Sequence, residues 1–408
     1  MNIVMLTPDS YMIDRRIILE ARSLVQAGHK VTLLAGFETS KEEHFEQDGI
    51  EIHRYMYDWD DERLKKIRKK LPNNEKVQLF VNKTYMFLAK RFLEVSPFEQ
   101  FMISKALEFD ADVYHVHDLP CLKAGYYASK MRNVPLIYDA HELYYAQDIL
   151  PTRLQKLYFS LEKKYIRYPD VVITVNPFIA RLMAERYEIN EPQVILNCTE
   201  VPSNFNPQIA KSKLKEKGKI PNDYKVVLYQ GWISPERNLE TLIKSVKYFP
   251  ENTCLAIIGY GDYEVTLRQI AEQEGLAEKI FFLGKIPSEE ILNYSAGADI
   301  GIIPYQPIDD NHLYCSPNKL FEYILAGVPI IANQLPFFDL INNQYGIIEN
   351  ADLSSPQALG KVVSQLISTP SKLENLRNLC YEAGKQLNWD KESEKLLTIY
   401  NKIIKQRG

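Results

Sequence analysis

The sequence predicts an α/β protein made of two Rossmann-like, doubly wound domains. Short apolar runs of strand length alternate with segments whose apolar residues recur at helical spacing, and the alternation occurs twice, before and after a polar, Pro-punctuated stretch at 202–223. Size agrees, because 408 residues is long for one hydrophobic core and suits two of about 200 residues each. The expected division is 1–200 for the first domain and 201–389 for the second, with a last helix, 390–408, returning to pack on the first.

In the first domain, residues 2–7 read as a strand, 13–26 as a helix, Gly28 as a stop and 30–35 as a second strand, which is how a doubly wound sheet begins. The turn at 7–11 has no Gly pair, so a dinucleotide fingerprint is absent. Residues 63–70 hold six basic side chains in eight, and 77–92 interleave aromatic and basic residues. That segment is either a basic amphipathic surface for an anionic membrane, spanning 63–92, or a solvated face beside a buried aromatic one.

The strand at 113–116 runs into His115-Val116-His117-Asp118, and the strand at 136–139 into Asp139-Ala140-His141-Glu142. Ligands of open α/β sheets gather at the carboxyl ends of strands. His117, Asp118, Asp139, His141 and Glu142 are therefore expected to line one crevice, with His141 and Glu142 either binding an acceptor or capping the next helix. His115 reads as a core histidine. Alternating histidines suggest a metal, but with no third donor in view none is expected. A strand at 171–176, a helix at 177–186 and a strand at 194–198 complete the domain.

The second domain has strands expected at 226–229, 254–258, 280–283, 299–303 and 328–332. Its turns carry Gly231-Trp232 and Arg237, then Gly259-Tyr260-Gly261, which brings backbone close to a ligand, then Gly284-Lys285-Ile286, which an ordinary turn requiring Gly284 explains equally well. The densest stretch is 316–331. Ser316 is placed to cap a helix and Pro317 to occupy its first position, giving an anion-ready end. Lys319 adds a cation, Glu322 a carboxylate one turn on, and Gly327 a C′ residue before a buried strand.

Composition narrows the classes further. The chain is 46% hydrophobic and 25% charged, with a net charge of −4, which gives no general argument for nucleic acid as a partner. The five cysteines are scattered, without Cys-x-x-Cys spacing, which suits a reducing cytoplasm without structural zinc. A basic leader and a run of membrane-spanning length are both missing, so a cytoplasmic protein, peripheral on the membrane at most, is expected.

The stretch 316–331, with Lys319 and Glu322, resembles the nucleotide-sugar signature of GT-B glycosyltransferases, in particular retaining enzymes of glycosyltransferase family four. The resemblance implies two Rossmann-like domains facing a cleft, a nucleotide-sugar donor held by the second domain and a saccharide or lipid-linked acceptor held by the first. It makes Lys319 and Arg237 the cations of the donor diphosphate, Glu322 the ribose ligand and His117 the group that reaches the sugar. Gly231, Gly259, Tyr260, Gly261, Lys285, Ile286, Tyr314, Ser316, Pro317, Asn318 and Leu320 complete the implied donor site, and Asp118, Asp139, His141 and Glu142 the acceptor site. The Trp389 region resembles the family's crossover into the last helix. Relatives usually place an Arg directly after the first Gly, where this chain has Trp232, and often a Glu eight residues before Glu322, where it has Tyr314. The implied reaction is transfer with retention, without metal or cofactor, in surface polysaccharide or glycolipid synthesis. The Asp pairs at 58–60 and 110–112 lie in a polar loop and before a strand, which disfavours a metal-dependent GT-A enzyme. A nucleotide-sugar epimerase or a non-catalytic GT-B scaffold protein are the alternatives.

Overall fold

The computed structural model describes residues 1–8, 14–35, 38–57, 62–72, 74–92, 94–147, 150–203, 205–210 and 212–405. Most of the turn at 7–11 and the Asp pair at 58–60 lie outside the described residues. The chain forms two compact units, Met1–Ile195 with Leu396–Gly408, and Leu196–Lys395.

The first unit carries an eight-stranded sheet. Its strands are β1 (Asn2–Leu6), β2 (Lys30–Ala35), β3 (Glu38–Gln47), β4 (Ile50–Met56), β5 (Val113–His117), β6 (Leu136–Ala140), β7 (Val171–Thr174) and β8 (Gln193–Val194). They lie in the order β3-β4-β2-β1-β5-β6-β7-β8 and are parallel except for β3 against β4. The β3–β4 hairpin was not expected, since its ten-residue first strand is nearly all polar. Its sequence signal is Asp48-Gly49, the two residues between the paired Gln47 and Ile50, with φ of 54° and 77°. Such a turn needs positive φ at both positions and matches the twist of the strands it joins. An edge strand also needs only one covered face, which is why β3 can be polar.

The second unit carries a six-stranded parallel sheet of β9 (Lys225–Trp232), β10 (Thr253–Tyr260), β11 (Ile280–Gly284), β12 (Ile300–Ile303), β13 (Ile330–Ala332) and β14 (Ile348–Asn350), in the order β11-β10-β9-β12-β13-β14. The short β14 was not foreseen, and β9 and β10 run two to three residues past their expected ends. Helices on both faces account for the near-continuous apolar strands, since a sheet covered twice has no wet face to alternate with. Thus Val227, Tyr229, Leu255, Ile257, Ile300 and Ile302 pack with Leu242, Ile243, Leu267, Leu359 and Val363 of the covering helices.

The last helix, Trp389–Lys405, begins one residue before its expected start at 390. It belongs to the second unit up to Lys395 and to the first from Leu396. Leu396, Ile399, Tyr400 and Ile403 are buried. The Tyr400 hydroxyl lies 3.0 Å from His115 Nδ1, so this part of the helix does reach the first unit.

Candidate active site

In the first unit the strand ends collect a buried polar cluster. Parallel pairing sets His117 opposite Asp139, and the pleat puts His115 on the same face as His117. The helix Arg15–Gln26 covers that face and sends down Arg16 and Glu20, one turn apart. Arg16 donates to both oxygens of Asp139, at 2.8 and 3.1 Å, and to the Ile195 carbonyl at 2.7 Å, while its Nε lies 3.0 Å from Glu20. One guanidinium thus stands between two carboxylates. Burial raises Asp139, but Arg16 and the neighbouring histidines outweigh it and hold the group well below its usual range. Glu20, deeply buried and facing Asp139, is pushed well above its usual range against the pull of Arg16.

His141 lies within reach of three carboxylates. Its Nδ1 is 2.6 Å from Asp14 and 3.6 Å from Asp118, and its Nε2 is 3.4 Å from Asp139 and 3.2 Å from His117 Nδ1. Burial disfavours the imidazolium, yet Asp118, Asp14 and Asp139 together raise His141 well above the ordinary histidine range. In return Asp14, which burial alone would raise, is held at about 2, mainly by His141. Asp118 has φ +59° and its carboxylate accepts from the His141 amide at 3.1 Å. Burial carries it up to about 7 against the pull of His141. His115 and His117 are both lowered, burial being the first cause in each.

The expected crevice residues His117, Asp118, Asp139 and His141 therefore do come together. Glu142 accepts from Gln147, and the segment after it is a short 3-10 turn with Leu143 at its N-cap, so neither His141 nor Glu142 caps a helix there. His117 is as completely buried as His115, although only His115 was read as core. Its Nε2 has no hydrogen-bond partner among the described residues. The want of a third donor, the reason for expecting no metal, does not hold either. Donor atoms of Glu20, His115, His117 and Asp139 lie within 4.8 Å of one another. The positive charge that answers those carboxylates is Arg16. Arg16, Glu20, Asp14 and Tyr400 were missed by sequence reasoning. Arg16 and Glu20 did carry a signal, a charged i, i+4 pair on the helix face that apolar periodicity assigns to the core.

In the second unit the site forms around the carboxyl ends of β9 and β10. A Cβ on Gly259 would lie 1.9 Å from the Gly231 carbonyl oxygen, and one on Gly261 2.1 Å from that of Ile233, so only glycine permits this approach of the two strands. Lys319 Nζ stands beside Gly231, 3.0 Å from where a Cβ would be. It donates to the Tyr305 hydroxyl at 3.0 Å and lies 4.0 Å from the centre of the Tyr229 ring. The guanidinium of Arg237 covers the Tyr305 ring at 4.7 Å. Burial would raise the Tyr305 hydroxyl, but the two cations outweigh it and lower it. Lys319 is itself lowered, by burial first and by Arg237, against the pull of Tyr305. Glu322 accepts from the amide of Gln230, whose carbonyl accepts from Ser295 at 2.8 Å. Lys319 and Arg237 thus meet at Tyr305, with Lys319 also over Tyr229, and Glu322 is held by Gln230, itself held by Ser295; sequence reasoning did not find these four supporting residues.

The helix that opens this stretch differs from expectation at its start. It runs Asn318–Leu325 with Pro317 at the N-cap, not at the first helical position, and without a side-chain cap. Ser316 Oγ has no hydrogen-bond partner among the described residues, while its carbonyl accepts from Asn197 at 3.0 Å. Proline's fixed φ suits either position. The C-terminal end is as expected: Gly327 has φ +66°, and the Val328 amide reaches back to the Tyr323 carbonyl at 2.8 Å. Leu320 is buried and its amide donates to the Pro317 carbonyl, so it supports the helix from the core side. Ile286 is also buried; Asn318 and Lys285 are exposed, and Tyr314 half-buried at the end of the short helix Asp310–Leu313. Trp232 and Tyr260, paired across β9 and β10, are 49% and 47% exposed and meet edge to face, with Lys285 Nζ 4.7 Å from the Tyr260 ring.

Residues 13–201 match the family described as Glycosyltransferase Family 4, and residues 210–387 match Glycosyl transferases group 1. The D-inositol 3-phosphate glycosyltransferase of Xylanimonas cellulosilytica is 20% identical over 318 residues, 72% of this chain and 73% of that protein. The O-antigen chain mannosyltransferase RfbU of Salmonella typhimurium is 24% identical over 265 residues, 63% of this chain and 69% of that one. Among solved structures, Anabaena Alr3699/HepE in complex with UDP-glucose matches with a TM-score of 0.70 at 15% identity, covering 98% of this chain and all of that one.

Proposed function

Because the chain belongs to the GT-B glycosyltransferases of group 1, we propose that it moves a sugar from a UDP- or GDP-sugar to a glycan or lipid-linked acceptor, with retention and without a metal. The observation that carries the donor half is the meeting of Lys319 and Arg237 at Tyr305, next to the close-packed backbone of Gly231 and Gly259. A nucleoside diphosphate leaving group develops negative charge as the sugar–phosphate bond breaks. Two fixed cations in a buried setting stabilise that charge more than they stabilise the intact donor. They also supply the charge a divalent ion would bring, so chelator should leave turnover unchanged. Glu322, held by Gln230, takes the ribose hydroxyls. With Tyr314 in place of the upstream Glu, no carboxylate nucleophile is assigned there. Acceptor attack on the face the diphosphate leaves, with the phosphate taking the proton, gives retention from positioning and electrostatics.

Relatives that build O-antigen and inositol glycosides support surface polysaccharide or glycolipid synthesis at the cytoplasmic side as the setting. Stabilisation against heat by a panel of UDP-, GDP-, ADP- and dTDP-sugars, with NMR of any product, tests the donor reading. A panel without a single stabilising nucleotide sinks it.

The helices Glu62–Arg68 and Glu75–Phe92 favour an anionic membrane as a further partner. Ile67, Leu79, Leu88 and Phe80, the last 69% exposed, accompany exposed Lys66, Lys69, Lys70, Lys76 and Lys83. Apolar side chains with surrounding cations suit an acyl–headgroup boundary. Co-sedimentation with anionic vesicles should be strong at low salt and fall as salt rises; binding indifferent to salt and lipid charge would dismiss this partner.

A further inference from the structure

We infer that His141 is a positioning residue that fixes His117 with its proton on Nε2, so that His117 gives a hydrogen bond to the bound saccharide and does not take its proton. The saccharide ligand rests on the function proposed above; the proton positions rest on the first unit alone.

The argument starts from what faces each ring nitrogen. His141 has Asp14 2.6 Å from Nδ1 and Asp139 3.4 Å from Nε2, with Asp118 3.6 Å from Nδ1. A neutral imidazole has one N–H, and its other nitrogen would turn a lone pair on a carboxylate. Carboxylates at both ends therefore select the imidazolium. The pairing of charges agrees: Arg16 answers Asp139 and His141 answers Asp14, while burial works against charge on Glu20, His115 and His117 and lifts Asp118 to about 7.

With both nitrogens of His141 protonated, its Nε2–H points to His117 Nδ1 at 3.2 Å, and His117 Nδ1 has to accept. Asp139 Oδ2 does not compete for a proton there. It is 3.7 Å from His117 Nδ1 and already accepts from Arg16 at 2.8 Å. The His117 proton is then on Nε2, the atom that is buried and has no partner among the described residues. A buried donor left unmade costs free energy, so this one is suited to a ligand oxygen.

The opposite arrangement is a neutral His141 that accepts from His117 Nδ1–H, which would leave a lone pair on His117 Nε2 and make it a base. Nitrogen-15 NMR of the full chain labelled at histidine tells the two apart without donor, acceptor or turnover. It therefore stands or falls separately from the donor assay. The chain has seven histidines, and His117→Gln and His141→Gln assign the two signals. At pH 7 the expected pattern is His141 protonated on both nitrogens and His117 on Nε2 only. In Asp14→Asn, where asparagine still caps the helix, His141 should lose its second proton at a lower pH and the His117 Nδ1 signal should move towards the protonated range. A proton on His117 Nδ1 in the unmodified protein, or a His117 signal unchanged in Asp14→Asn when His141 has become neutral, overturns the assignment.

Discussion

Lys319 is buried between two tyrosine rings with a second cation near, an environment that a diphosphate would relieve. Its lowered pKa, caused by burial first, means that it gives up its proton below the ordinary lysine range. Affinity for nucleoside diphosphate should accordingly weaken as the pH rises through the alkaline range, earlier than a free lysine would allow. Lys319→Arg should flatten that dependence, since guanidinium stays charged. Lys319→Ala should cost about 10-fold or more in affinity at pH 7, the scale of one charge-assisted contact. Titration of nucleotide binding at several pH values, by calorimetry, checks all three; a pH profile identical in Lys319→Arg and the unmodified chain would remove Lys319 from the phosphate. Lys319 and Glu322 were legible because their chemistry sits at fixed spacing on one helix. Tyr305, Gln230 and Ser295 were not, because their roles come from side chains that meet only when β9, β12 and the helices pack, and nothing in local spacing records that. Ser316 failed for a simpler reason: serine before proline has two possible alignments with a helix start, and the sequence does not choose.

Strand–helix alternation came through plainly in both units because sheets covered on both faces keep uninterrupted apolar strands. The β3–β4 hairpin did not, because an edge strand needs no such run and its one signal was the Asp48-Gly49 turn. A charged residue buried on the inner face of an amphipathic helix is a related case. Glu162, on the helix Thr152–Tyr165, accepts from Tyr138 of β6 at 2.6 Å and from Tyr187, at the end of the helix Pro177–Tyr187, at 2.7 Å. It fastens two helices to the sheet. Burial raises its carboxyl to about 7, while the two hydroxyl donors pull it down. The folded pKa lies above the unfolded value of 4.5, so the stability that protonation gives is present in full below the unfolded value and is lost as pH rises through 7. Glu162→Gln cannot ionise and should escape that loss. Urea unfolding at pH 5 and pH 8 should find the variant gaining on the unmodified chain by about 2–3 kcal/mol between the two. An equal pH dependence in both proteins would show that Glu162 titrates normally.

On the scale of the whole chain, the last helix is the element whose purpose only the three-dimensional structure explains. Its sequence gives a helix, and resemblance gave its destination, but the division of labour within it is a packing fact. Up to Lys395 it is tied to the second unit, where the Glu392 carboxylate accepts from the Leu196 amide at 2.9 Å and the Trp389 amide donates to the Thr199 carbonyl at 3.0 Å. From Leu396 on it is part of the first unit, with Tyr400 against His29 and His115. Burial of Leu396, Ile399, Tyr400 and Ile403 contributes at most about 1.5–3 kcal/mol each. Their sum is comparable with the whole stability of a domain. A chain ending at Lys395 should therefore lose the cooperative unfolding of its first unit near physiological temperature, yet retain a second transition that still rises with nucleotide sugar. Tyr400→Phe is the gentler version: it keeps the ring and leaves His115 Nδ1 without its hydroxyl, at a cost of about 1–3 kcal/mol. Scanning calorimetry with and without donor follows the two transitions separately, and a truncated chain whose first unit melts unchanged would mean that the helix end contributes nothing to that core.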